Sequence, residues 1–249
     1  MISPDWPNVD LVTCFSTTIS DPKNMPSHDY GFNQENGAQK TTAIANRKRL
    51  MTDLGASQIQ WMNQVHGNIV FNVNNVDDTE LPEGDGCWTT QSGIALSVLT
   101  ADCLPVVIVS KKGDWLGVAH AGWRGLAKGV LEALISRADV DPGQLDCWIG
   151  PGISQHRYTV GEEVWSVFDD LHSCAVDKKS ERLQNKRLLN LSSIAASQLI
   201  DGGVGQVYQS GICTYDDPRF FSVRRNNGSS RKLIDGRLAT VALLKRSIA

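Results

Sequence analysis

The chain has 249 residues and a formal charge of −3, from 24 Lys and Arg against 27 Asp and Glu. It therefore lacks the basic field that nucleic-acid binders and anionic-membrane binders carry. An apolar fraction of 41% with seven tryptophans allows a sizeable core, but no apolar run reaches the length of a membrane-spanning helix and no charged leader opens the chain, so a cytoplasmic protein is expected.

No Pro/Ser-rich linker divides the sequence, which predicts one domain over residues 1–249. Its six cysteines stand singly with no CxxC pair, an arrangement that argues against a disulfide framework and a zinc ribbon. Leu11 to Ser16 reads as a strand, and the polar stretch from Asp21 to Lys40, with Pro22 and Pro26, as a long loop. Thr41 or Thr42 can cap a helix that runs through Leu54 and ends at Gly55. Gln58 to Met62 and Ile69 to Val73 read as strands, with His66 at the corner between them. Asp85-Gly86 is a turn signal before the strand Ile94 to Leu99.

The densest chemistry lies between Thr100 and Gly125. Asp102 and Cys103 precede the β-branched run Val106 to Val109, and His120 follows Trp115 to Ala119, with Lys111-Lys112-Gly113-Asp114 as the hairpin turn between the runs. That hairpin brings Cys103 and His120 to one rim. From Trp123, the spacing of Leu126, Val130, Leu131, Leu134 and Ile135 predicts a helix whose first N–H groups, beside Arg124, suit an anion. Cys147-Trp148-Ile149 is a short buried strand ending in the Gly150 to Ser154 loop. A helix is predicted from Val160 through about Leu171, a solvated connection from Asp177 to Arg187, and a helix from Leu191 to Ile200 capped by Asn190. Val207-Tyr208, Phe220 to Val223 and Leu238 to Leu244 complete the strands, and Arg224 to Gly228 is a basic turn. So many closely spaced strands point to a mixed sheet, or two sheets with helices outside them.

Cys103 admits three readings. With His66 and His120 it makes a three-ligand N/S site for zinc, or copper, with a fourth position left for water. With either histidine as base it is a thiol nucleophile. Alone, it is a core thiol. Asp102 is a turn cap, a partner to a histidine, or a general acid/base. Arg124 can hold a phosphate or carboxylate or pair with a surface acid; Trp123 and Tyr158 can stack on a planar base or pack in the core. Arg224 and Arg225 make a second anion site or an exposed turn.

Five stretches carry a resemblance: Asn63-Gln64-Val65-His66-Gly67, Thr100 to Val106, Ala119 to Gly125, Ile149 to Ile153 and Phe220 to Arg225. Together and in this order they resemble the bacterial YfiH family, also called laccase-domain or multicopper polyphenol oxidase family proteins. The resemblance implies a mixed-sheet four-layer α/β/β/α sandwich like the cytotoxic necrotizing factor catalytic domain, in a cytoplasmic monomer. It implies zinc on His66, Cys103 and His120, and purine nucleoside chemistry: phosphorolysis of adenosine, inosine and methylthioadenosine, with adenosine deamination. On that reading Asp102, Cys103 and Arg124 are the catalytic candidates, and Trp123, Arg124, Tyr158 and Arg224 hold the nucleoside and phosphate. Alternatives within the same resemblance are copper-dependent polyphenol oxidation and an amidase that edits muramyl-serine precursors; a non-catalytic zinc module is the remaining one. The five histidines, none in a His-x-His pair, weigh against a multicopper cluster. The chain departs from the family near its start, where Ser16 to Ser20 has no arginine, and at Gln155-His156-Arg157, where many relatives carry a Cys-Cys pair.

Overall fold

The computed structural model describes residues 1–19, 29–31, 37–74, 81–169, 175–177, 185–228 and 236–245. In chain order these form β1 (Val12–Ser16), α1 (Gly37–Leu54), β2 (Gln58–Gln60), β3 (Val70–Asn72), β4 (Gly86–Thr89), β5 (Ile94–Thr100), β6 (Leu104–Ser110) and β7 (Leu116–Ala121). Then follow α2 (Trp123–Ala127), α3 (Val130–Ile135), β8 (Leu145–Ile149), β9 (Thr159–Val160), α4 (Glu162–Asp169), β10 (Val176–Asp177) and β11 (Arg187–Leu189). The chain closes with α5 (Leu191–Asp201), β12 (Gln206–Gln209), α6 (Val223–Asn227) and β13 (Leu238–Leu244).

The fold is mixed α/β, with three sheets among the described residues. The largest has the order β12-β8-β6-β7-β4-β3, the second β1-β13-β5-β2 and the smallest β10-β11-β9. In the six-stranded sheet the outer pairs, β12 with β8 and β3 with β4, are parallel, and the centre is antiparallel. Alternation along β6 shows why that centre reads as one apolar run. Leu104, Val106 and Ile108 join a cluster with Leu131, Leu134 and Ile194 of α3 and α5. Val107 and Val109 instead face Leu96 and Val98 of β5 and Ala242 of β13 in the second sheet. A strand covered on both faces has no polar side to display. The far side of the second sheet packs Ala95, Val241 and Leu243 against Leu50 of α1.

The β6–β7 hairpin positions the rest. Ser110 N–H donates to the Trp115 carbonyl, and Gly113 takes φ +70°, so the turn closes where the Lys-Lys-Gly-Asp signal lies. Its register sets Pro105 opposite His120 and Leu104 opposite Ala121, which brings the start of β6 to the end of β7.

Several expectations need correction. The helix from Trp123 is two helices, parted where Gly129 adopts φ +79°, a left-handed conformation that interrupts a right-handed helix. Phe220 to Val223 is not a strand: Phe220 and Phe221 bury beside Leu238, and the Ser222 hydroxyl caps Arg225 N–H, so residues from Val223 coil as α6. Arg224 and Arg225 thus start a helix and do not form a turn. Strand β4 and the three short strands β9, β10 and β11 lie where sequence predicted none, and α1 begins four residues before Thr41. Leu171 and most of the Asp21 to Lys40 loop fall outside the described residues. Among those described, no helix is long and apolar enough to cross a membrane.

Candidate metal and substrate site

His66, Cys103 and His120 converge. Their ligand-capable atoms all lie within 4.8 Å of one another; Cys103 Sγ is 3.9 Å from His66 Nε2, and the two imidazole rings stand edge to face with centroids 4.7 Å apart. Cys103 ends the segment entering β6, and His120 lies in β7 across the hairpin. His66 comes from the loop after β2 and carries φ +57°.

One carboxylate holds this arrangement. Asp85, wholly buried, accepts backbone N–H groups from Val65, His66 and Gly67 at 3.1, 3.0 and 2.6 Å, so it folds the His66 turn around itself. Its Oδ1 also accepts from His120 Nδ1 at 2.7 Å. Because an ionised carboxylate can only accept, His120 carries its proton on Nδ1 and turns Nε2 to the cluster. Metal-ligating histidines are oriented by such a partner. The Asp85 main chain adds a further tie, its carbonyl accepting His120 N–H at 2.7 Å.

Close approach decides one more position. A Cβ on Gly122 would stand 2.9 Å from Cys103 Sγ and 3.1 Å from His66 Cδ2. Only the absence of a side chain there lets the thiol and the ring meet.

The charges follow from the contacts. Burial works against a Cys103 thiolate, yet the charge and hydrogen bond of His120, with help from His66, outweigh it and bring the thiol down to about 6. Burial likewise opposes an imidazolium at His120, but the Cys103 thiolate and Asp85 carry it up to about 9. For Asp85, burial would raise the carboxyl; hydrogen bonds from His120, Gly67 and Val65 prevail and hold it below the ordinary carboxylate range.

Beside the cluster is an open cavity of about 410 Å³ lined by Trp123, Arg124, Tyr158, Glu163, Val164 and Arg224, among others, within the size range of small-molecule sites. Trp123 directly follows Gly122, and burial together with the Cys103 thiolate pushes the Tyr158 phenol up to about 12. The Arg124 guanidinium lies 4.4 Å over the Trp123 ring and that of Arg224 5.0 Å over the Tyr158 ring, with Arg224 Nη1 donating to the Thr159 carbonyl at 2.7 Å. Two aromatic faces and two guanidinium groups thus share one cavity.

Residues 13–245 match a family model described as multi-copper polyphenol oxidoreductase laccase. The chain belongs to this family, that of the YfiH proteins. It is similar to the purine nucleoside phosphorylase of Xylella fastidiosa, with 35% identity over 96% of this chain and 94% of the relative. It is also similar to the purine nucleoside phosphorylase YfiH of Escherichia coli, with 32% identity over 93% and 96% of the two chains. Among solved structures, a Neisseria meningitidis DUF152 protein superposes with a TM-score of 0.84 at 29% identity, covering 98% of this chain and 99% of that one. YfiH of Bacillus licheniformis gives 0.82 at 27% identity over 94% and 93%.

Placed against this family member's geometry, two sequence expectations change. The histidine's carboxylate partner is Asp85, whereas Asp102, at φ +94°, accepts from the Thr214 hydroxyl at 2.8 Å and from Arg224 N–H at 2.7 Å. One Asp102 oxygen thus ties down Thr214 and the other the start of α6. The arginine pair also divides: Arg225 donates to the carbonyls of Thr214, Tyr215, Asp217 and Phe220, and only Arg224 lines the cavity. The sequence reading missed Asp85, hidden in an Asp-Gly turn signal, and Glu163, taken only as a helix start.

Proposed function

We propose that this chain is a metal-dependent purine nucleoside phosphorylase with adenosine deaminase activity. The observation that carries the proposal is the convergence of His66, Cys103 and His120 beside a cavity with both aromatic and guanidinium groups. The names of the relatives from Xylella fastidiosa and Escherichia coli support the same reaction class. The donor set fits zinc: two imidazole nitrogens and one thiolate, one imidazole oriented by a buried carboxylate. Zinc in such a site would act as a Lewis acid.

The chain's own residues would do the rest. Trp123 and Tyr158 offer faces for the purine, and Arg124 and Arg224 offer charge-assisted donors to phosphate. In phosphorolysis a phosphate oxygen bonds to the ribose anomeric carbon, the glycosidic C–N bond breaks, and the purine nitrogen takes up a proton. Deamination replaces the amino group with a hydroxyl from water and releases ammonia. Asp102 serves by fixing Arg224 at the cavity wall and does not itself carry a proton in this reading. We propose further that the two larger sheets and their helices form a single four-layer α/β/β/α domain, supported by the succession of clusters from α1 to α3 and α5.

The test incubates purified, zinc-replete protein with adenosine and phosphate. Release of adenine and ribose-1-phosphate, abolished in His120→Ala, is the expected result; no product from the metal-replete protein overturns the proposal. Inosine and ammonia formed without phosphate report the deaminase activity.

A further inference from the structure

A second group of donors of unlike type stands outside this site. We propose that His156, Cys213 and Asp216 form a second transition-metal site, zinc in class, that clamps the loop carrying Tyr158 to the segment carrying Thr214. Their ligand-capable atoms also lie within 4.8 Å of one another. None of the three lines the cavity, so the inference goes beyond the proposed activity.

The backbone already holds the two segments together. Gly152 and Cys213 form a parallel bridge, Thr214 N–H donates to the Gly152 carbonyl at 3.0 Å, and Ser154 N–H points to Cys213 Sγ at 3.4 Å. On this frame His156 Nε2 meets Asp216 Oδ2 at 2.6 Å, while Arg157 Nε takes Asp216 Oδ1 at 2.6 Å and stacks its guanidinium 4.9 Å over Tyr215. The second carboxylate oxygen is thus aimed at His156 and Cys213 by a guanidinium that is itself held.

The distances suit a metal after small movements. Bonds of about 2.0–2.3 Å in a tetrahedron place ligand atoms roughly 3.5 Å apart, so His156 and Asp216, now 2.6 Å apart, must part slightly. Both movable side chains have room, with 62% of His156 and 34% of Asp216 exposed. Imidazole, thiolate and carboxylate together favour zinc over magnesium or calcium. On binding, the Cys213 thiol gives one proton to solvent, the proton between His156 Nε2 and Asp216 is replaced by the metal and the ring keeps its proton on Nδ1, and water completes the fourth position.

The consequence reaches the cavity through the chain. Tyr158 follows Arg157 directly, and Thr214, next to Cys213, donates to Asp102, which anchors Arg224. A metal at this outer cluster would stiffen the wall that presents Tyr158 and Arg224.

The experiment counts metal on the untagged full chain, stripped with a chelator and titrated with Co²⁺ and then Zn²⁺. Two equivalents are expected in the wild type and one in Cys213→Ser and in His156→Gln, with a thiolate-to-cobalt charge-transfer band surviving in both Cys103→Ser and Cys213→Ser. Circular dichroism of each variant checks that it is folded. A wild type that binds a single equivalent which Cys213→Ser retains, or a Cys213→Ser protein that still binds two, overturns the proposal. Loss of an equivalent in Cys213→Ser with none lost in Cys103→Ser supports it and counts instead against zinc at the inner cluster.

Discussion

The inner cluster of His66, Cys103 and His120 and the outer cluster of His156, Cys213 and Asp216 use similar donors in opposite settings. Inside, the thiol and the imidazoles stand on a hairpin and a turn, and the carboxylate acts from behind, buried and bonded to four donors. Outside, the carboxylate is itself one of the three and is shared with an exposed arginine. The contrast teaches that what makes a donor set rigid is the partner behind it. A buried acceptor with all its positions filled cannot be moved without losing several hydrogen bonds together, whereas an exposed one exchanges with water at little cost.

The largest effect should come from removing that buried partner. Asp85→Asn keeps the shape but sets an amide among N–H donors and leaves backbone groups of the His66 turn unpaired. A loss of about 3–5 kcal/mol is expected for breaking a buried charged pair, read as the midpoint of urea unfolding. Zinc affinity at the inner cluster should fall roughly 10–100-fold, as for other orienting partners of ligating histidines. Unchanged affinity would show that the turn and the hairpin hold the three ligands without Asp85.

This dependence also marks where sequence reasoning stopped. Cys103 and His120 were legible because the hairpin turn and the β-branched runs on either side of it fix which strand ends meet, whereas His66 was legible only as a histidine at a strand-to-turn corner. Asp85 was not, since Asp-Gly has the same appearance whether the carboxylate caps a turn or folds another loop 18 to 20 residues earlier around itself. The larger sheets were legible from their long apolar strands, except for the four-residue β4. The β9–β11 sheet was not, because strands of two or three residues have no period to detect. Phe220 to Val223 misled for a related reason: aromatic and β-branched residues suit a strand, but here burial beside Leu238 and the Ser222 cap decide the backbone.

A methyl group placed beside each cluster sharpens the comparison next. Gly122→Ala puts a carbon against both the Cys103 sulfur and the His66 ring, and overpacking of this kind costs about 1–3 kcal/mol. Because Gly122 has an ordinary backbone, at φ −81°, the effect should appear as displaced ligands and weakened zinc binding. Gly211→Ala, near the outer cluster, meets nothing within 4 Å but must hold φ +65°; its cost is about 1–2 kcal/mol of backbone strain with inner zinc binding untouched. Equal loss of zinc in the two variants would remove close approach as the explanation.

The protonation state of the inner pair gives a third test. In metal-free protein the alkylation rate of Cys103 by iodoacetamide should rise with pH through a midpoint near 6, since the thiolate forms there in place of the ordinary 9.0. His120→Ala removes the largest stabilising charge and should move the midpoint upward. Stability should behave differently. A lowered thiol adds stability that is complete above 9.0 and lost as pH falls through about 6; a raised imidazole adds stability that is complete below 6.5 and lost as pH rises through about 9. Between about 6.5 and 9 the folded pair carries its one proton on His120 and the unfolded pair carries it on Cys103, so the two slopes cancel and the pair contributes a plateau. A midpoint near 9.0 in the wild type would mean that the thiol stays protonated beside its histidines.

The smallest stability effect belongs to the outer carboxylate. Asp216→Asn breaks contacts to His156 and Arg157 in which every partner is at least one-third exposed, so water replaces them and the cost should stay within about 1 kcal/mol. The same change should nonetheless remove the second metal equivalent, because an amide oxygen is a poorer zinc donor than a carboxylate and nothing behind it compensates. Asp85→Asn and Asp216→Asn would then separate cleanly: the first would unfold the protein sooner and weaken the inner metal, while the second would leave both unchanged and empty only the outer cluster. If Asp216→Asn cost as much stability as Asp85→Asn, exposure would not be what distinguishes the two clusters, and the rigidity of a donor set would have to be sought in its backbone.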